Sequence, residues 1–162
     1  SGILPQQIWM EATERGFLDL DRARTMLAAA RRAGHSVAID DFGVGYSSLQ
    51  YLAQLPLDAL KIDKSFVDAI GTDSATSPVT PHIIGMAREL GLWVVAEGVE
   101  TEAQLAYLHG QKVQFGQGWL FSRPLPRDEF VAFHHKRQQR YGAAREQMQN
   151  PRSVPIEQEP LP

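Results

Sequence analysis

Short apolar segments recur between amphipathic stretches, and this alternation restricts the fold more than any other feature. Residues 7–11, 36–40, 59–62, 92–96 and 113–115 have strand character. Between them, residues 19–33 carry Leu20, Ala23, Leu27 and Ala30 at helical spacing, with Gly34 as a stop. A shorter helix runs through Leu49 and Leu52 to Pro56. Another presents Ile83, Ile84, Ala87 and Leu90 and ends at Gly91. Thr101 and Gln104 have capping-box spacing, opening a helix with Leu105 and Leu108 inward and Gly110 at its end. A last helix starts near Asp128. Apolar strands alternating with helices predict an α/β protein with a covered parallel sheet. An open doubly wound sheet and a (β/α) barrel both satisfy the pattern. No G-x-G-x-x-G follows the first strand, which removes support for a dinucleotide-binding Rossmann domain.

Composition narrows the class. The 162 residues are 43% apolar and 22% charged, which excludes a disordered chain. A net charge of −3 leaves no basic excess for a nucleic-acid duplex. Without cysteine there is neither a disulfide nor a thiolate metal site. With no apolar run of membrane-spanning length and no signal peptide, the expected location is the cytoplasm. From Lys136 onward the chain turns polar and proline-rich. The expected division is therefore 1–135 as the folded domain and 136–162 as a partly disordered tail.

Polar residues cluster at one end of the strands. Glu11 ends the first, Asp40 and Asp41 the second, and Glu97 the fourth; Lys61 sits in the third and Gln117 follows the fifth. In α/β proteins that edge is where sites assemble. Taken singly, each has a plainer reading: an Asp after a strand is often a helix cap, Lys61 can pair with Asp63 at the surface, and Glu97 can serve a turn with Gly98. Together, carboxylates at one edge need neutralising. Oxygen ligands without cysteine point to a hard divalent ion, Mg²⁺ or Mn²⁺. Adjacent Asp40 and Asp41 suit a two-metal phosphoester hydrolase. The segment from Asp41 through Phe42, Gly43, Gly45, Tyr46, Ser47 and Ser48 reads as a mobile loop over that edge.

These segments resemble the C-terminal part of the EAL domain, the phosphodiesterase of the bacterial second messenger cyclic di-GMP. The matching stretches are EATE from Glu11, DDFGVGYSSL from Asp40, LDALKIDKSF from Leu57, VVAEGVET from Val94 and QGWLFSRPLP from Gln117, covering about residues 3–133. The resemblance implies a TIM-like (β/α) barrel with one strand reversed, of which this chain holds roughly the last five βα units. It implies that Glu11, Asp40 and Asp41 are metal ligands, with Asp40 bridging two Mg²⁺ or Mn²⁺. Lys61 would hold or polarise the attacking water. Glu97 would be either a second-site metal ligand or a general base, and Gln117 would support the water and phosphate. Glu14 would anchor the 41–48 loop, through which the family dimerises and couples sensory input to metal binding. The implied reaction opens cyclic di-GMP to linear pGpG.

The Glu-Ala-Leu signature is absent from this sequence, as are the family's upstream Asn and Arg. The chain is therefore expected to be the C-terminal part of a larger protein or a truncated gene product, lacking the N-terminal half of the barrel and an upstream sensory domain of the kind that tethers family members to membranes. The alternative is a catalytically incomplete module that acts by binding or dimerisation.

Overall fold

A computed structural model describes residues 2–13, 19–43 and 49–145. After a single 3-10 turn at Pro5–Gln7, strands β1 (Trp9–Thr13), β2 (Ser36–Phe42), β3 (Ala59–Ile62), β4 (Trp93–Ala96) and β5 (Phe115–Gly116) alternate with helices. The helices are α1 (Leu20–Arg32), α2 (Leu49–Gln54), α3 (Lys64–Asp68), α4 (Val79–Glu89) and α5 (Glu102–Gly110). Beyond Arg123 the chain forms a second unit, whose described element is α6 (Arg127–Arg145). No helix among the described residues is long and apolar enough to cross a membrane.

All five strands are parallel and lie in chain order, β1-β2-β3-β4-β5. That order separates the two candidate folds. A doubly wound sheet reverses direction at a switch point, whereas a monotonic order with right-handed crossovers puts every helix on one face, as in a barrel. The core follows suit. Val37, Ile39 and Phe42 of β2, Leu60 and Ile62 of β3, and Val94 and Ala96 of β4 pack with Leu27, Leu52, Phe66, Ile84 and Leu108 from α1 to α5.

The alternate residues face the other side. There Trp9 and Trp93 stack with ring centroids 5.8 Å apart, and Phe115 meets both edge-on, at 5.6 and 5.2 Å. Alanine at positions 38 and 59, on the two intervening strands, leaves room for the indoles; both alanines are fully buried. This aromatic layer lies below the level of Lys61 and Glu97 along the strands.

Local chemistry explains most boundaries. Asp19 caps α1 by accepting from the Arg22 N–H at 3.0 Å, and Thr101 and Gln104 form the expected capping box of α5. At the N-terminal ends of the strands, Asp58 accepts from the Val37 N–H at 2.9 Å and pairs with Arg31 at 2.9 Å, while its carbonyl accepts from the Trp93 N–H. One half-buried aspartate thus sets the relative heights of β2, β3 and β4.

Some boundaries differ from those read in the sequence. The first strand lies two residues further on, because Pro5 starts a 3-10 turn that takes in Gln7. Thr13, the last residue of β1, then pairs with Asp40. Helix α3 has no counterpart in the sequence pattern. It is a single turn capped by Asp63, whose carboxylate accepts from the Ser65 N–H at 2.9 Å. The fifth strand shrinks to two residues. Leu105 is half-buried rather than central, and Leu108 is buried as expected.

Candidate active site

The C-terminal strand ends converge on Lys61. Its side chain points to the face away from the helices, and the residue is only 5% exposed. Its Nζ lies 2.8 Å from Glu11 Oε2 of β1, 2.9 Å from Asp40 Oδ1 of β2, and 2.6 Å from Glu97 Oε1 just beyond β4. Burial by itself would lower the lysine pKa. The hydrogen bonds to Glu11, Glu97 and Asp40 outweigh that effect and raise the pKa above its ordinary value. The ammonium therefore stays charged and neutralises carboxylates that would otherwise repel each other. Lys61 does not pair with Asp63, which is occupied in capping α3.

A strand irregularity brings Asp41 to the same place. Between Ile39 and Phe42, β2 advances three residues while β3 advances two, from Leu60 to Ile62. This bulge breaks the alternation that would send Asp40 and Asp41 to opposite faces. Asp41 takes up the extra residue in a left-handed conformation, φ 55°, which aspartate tolerates better than bulky residues. Ile39 and Phe42 then both face the helices. Asp40, Asp41 and Glu97 each offer a carboxylate oxygen, and these atoms lie within 4.8 Å of one another. An all-oxygen set of this spacing fits a hard divalent cation. Glu11 is not in that group and joins the site through Lys61.

Glu97 is held from several directions. Its N–H donates to the Ile62 carbonyl at 3.0 Å, and Gln117 Nε2 donates to its Oε1 at 2.9 Å. Gln117 thus supports Glu97, the same oxygen that Lys61 approaches. Backbone bonds from the Val99 N–H to the Gln117 carbonyl and from the Gln117 N–H to the Ala96 carbonyl, at 3.0 and 2.9 Å, lock the two strand ends together. Gly118 sits so close to Val99 that a Cβ there would collide with the Val99 backbone. The stem of Lys64 covers Gly98, and its ammonium pairs with Asp68 at 2.7 Å and Glu100 at 3.0 Å.

All six candidate ligands and catalytic groups, Glu11, Asp40, Asp41, Lys61, Glu97 and Gln117, therefore lie in one neighbourhood. The loop is only partly described. Phe42 belongs to the end of β2 and is buried in the core, not part of a loop. Gly43 has φ 93°, and a Cβ there would meet the Phe66 ring at 2.9 Å. Glu14, Gly45, Tyr46, Ser47 and Ser48 lie outside the described residues. Sequence reasoning missed Lys64 and Gly118 as groups that shape this edge. Their signal was the Gly-Val-Glu turn after Glu97 and the glycine after Gln117.

The EAL domain profile matches residues 1–124. The chain belongs to the EAL domain family. It is 50% identical over 127 residues to the probable cyclic di-GMP phosphodiesterase PdeB of Escherichia coli K12, covering 78% of this chain and 24% of that protein. With the cyclic di-GMP phosphodiesterase NbdA of Pseudomonas aeruginosa it shares 49% identity over 118 residues, 72% of this chain and 15% of that one. Among solved structures, the PaMucR phosphodiesterase complexed with c-di-GMP superposes with a TM-score of 0.74 at 39% identity, over 79% of this chain and 52% of that chain. A manganese and c-di-GMP complex of Klebsiella pneumoniae BlrP1 superposes at 0.68 with 38% identity, over 76% of this chain and 32% of that one. This EAL chain thus spans about a quarter or less of these two curated relatives. The five-stranded parallel sheet fits part of an EAL-type TIM-like barrel.

Proposed function

We propose that this chain supplies the Glu11, Asp40, Asp41, Lys61, Glu97 and Gln117 portion of a site that hydrolyses cyclic di-GMP to pGpG. The convergence of Glu11, Asp40 and Glu97 on the Lys61 ammonium, beside Asp41, carries the reading. Relatives named as cyclic di-GMP phosphodiesterases and neighbours complexed with that dinucleotide support the choice of substrate.

Hydrolysis adds water across one phosphorus–oxygen ester bond, leaving a phosphate on one ribose and a hydroxyl on the other. Asp40, Asp41 and Glu97 would hold Mg²⁺ or Mn²⁺, with Glu11 completing a second position. When bound, such ions acidify a water and stabilise the departing oxygen. Lys61 supplies a positive charge for the phosphate oxygens and for the water, and its raised pKa keeps it protonated at neutral pH. Gln117 fixes the orientation of Glu97.

The test is a substrate panel. Cyclic di-GMP, linear pGpG and a generic aryl phosphodiester are incubated with Mg²⁺ or Mn²⁺, with and without chelator. Chelator-sensitive turnover that favours cyclic di-GMP supports the reading. Tight binding of cyclic di-GMP without turnover would favour the binding-module alternative instead.

A further inference from the structure

The Lys61 ammonium shares acceptors with the carboxylate cluster. It contacts Asp40 and Glu97, two of the three residues whose oxygens cluster within 4.8 Å. On Asp40 it shares Oδ1 with the Asp41 N–H, which donates at 3.1 Å, and on Glu97 it shares Oε1 with Gln117. Glu11 adds a third bond, at 2.8 Å. A divalent cation on Asp40 and Glu97 would lie against the same carboxylates as the ammonium. Two positive groups at that range repel each other, and the lysine is itself only 5% exposed.

We propose that Lys61 is the resident counter-ion of the cation-free site, and that a divalent cation binds by displacing its ammonium from Asp40 and Glu97. The inference rests on the cation-dependent reading above and adds an order of events. Lys61 holds the carboxylates together before the cation arrives, so the cation-free protein does not pay for their mutual repulsion. The incoming cation takes over Asp40 and Glu97. The lysine keeps its charge, is released from those two acceptors, and becomes available to a phosphate oxygen. Cation affinity is thereby set lower than the carboxylates alone would give, because each binding event first breaks charge-assisted hydrogen bonds of the ammonium.

The test compares the wild-type chain with Lys61→Met, which keeps the length of the side chain and removes its charge. Mn²⁺ binding is read by the electron paramagnetic resonance of free Mn²⁺, and thermal stability is read in chelator and in saturating Mn²⁺. Displacement predicts that Lys61→Met melts lower than wild type in chelator and recovers with Mn²⁺. It also predicts Mn²⁺ binding tighter by at least about tenfold, since two charge-assisted hydrogen bonds no longer have to be broken. Equal or weaker Mn²⁺ binding by a folded Lys61→Met would overturn the proposal and leave the phosphodiesterase reading standing. Absence of Mn²⁺ binding by both proteins would overturn both. If Lys61→Met does not fold, the wild type decides alone. The Lys61 ¹³Cε and ¹⁵Nζ resonances must move on addition of diamagnetic Mg²⁺, and unmoved resonances at saturation would refute displacement.

Discussion

Lys61 Nζ and Glu97 Oε1 are 2.6 Å apart, the shortest of the three ion pairs that the lysine makes. Gln117 donates to the same oxygen. This carboxylate is therefore doubly held before any ligand arrives, and its charge is central to the site. Replacing Glu97 by Gln keeps the shape and removes the charge. Turnover of cyclic di-GMP should fall by about a hundredfold or more, with little change in the melting temperature. Steady-state kinetics beside a thermal melt checks this; near wild-type turnover would remove Glu97 from the chemistry.

Asp41 separates conformation from chemistry. Its left-handed backbone creates the bulge that brings two adjacent carboxylates to one edge. Asp41→Asn should preserve the fold, since asparagine accepts that conformation, while weakening cation binding. Asp41→Val should cost about 1–2 kcal/mol of stability in addition. Chemical denaturation of the two variants distinguishes them; equal stabilities would mean that the bulge relaxes without strain.

Gly118 is a steric requirement. A side chain there would meet the Val99 backbone and push apart the segments that carry Glu97 and Gln117. Gly118→Ala should lose about 2 kcal/mol of stability, and its turnover should fall through loss of Glu97 orientation. Wild-type stability in this variant would show that the two loops can separate freely.

The pH dependence of stability follows from Lys61 and Asp63. The Lys61 pKa is raised in the folded protein from its ordinary 10.5. Its contribution is therefore complete below that value and is lost as the pH rises through the folded pKa. The stability gap between wild type and Lys61→Met should stay flat from about pH 7 to 10 and narrow above. Asp63 behaves oppositely. Burial would raise its pKa, but hydrogen bonds from Ser65 lower it below the ordinary 3.8. Its capping contribution is present above that value and fades on acidification. Asp63→Ala should cost about 1 kcal/mol at neutral pH, with a gap that closes in acid. Denaturation at a series of pH values tests both signs.

How much of this was legible in the sequence depended on range. The apolar runs Ala59–Ile62 and Trp93–Ala96 and the capping pair Thr101 and Gln104 announce themselves locally, and the elements appear there. That Asp40, Lys61 and Glu97 share one edge was also readable, because strand periodicity and chain order fix it; Glu11, read as ending the first strand, lies in the middle of β1. What was not readable depended on neighbours in space. The bulge at Asp41 exists only as a mismatch between β2 and β3. The three partners of Lys61 come from three strands, and sequence proximity pointed to Asp63 instead. Helix α3 was too short for a periodic signal, and the aromatic layer of Trp9, Trp93 and Phe115 is assembled from three separate strands.

Cation-dependent opening of cyclic di-GMP is proposed to run through Asp40 and its neighbours. The most direct test measures pGpG formation by wild type and Asp40→Asn across a Mn²⁺ titration, on the protein at the length made in the cell. Wild type should form pGpG in a saturable, chelator-sensitive way, and Asp40→Asn should lose about a hundredfold or more at every Mn²⁺ concentration. Equal rates for the two proteins, or product formation that persists in chelator, would contradict it.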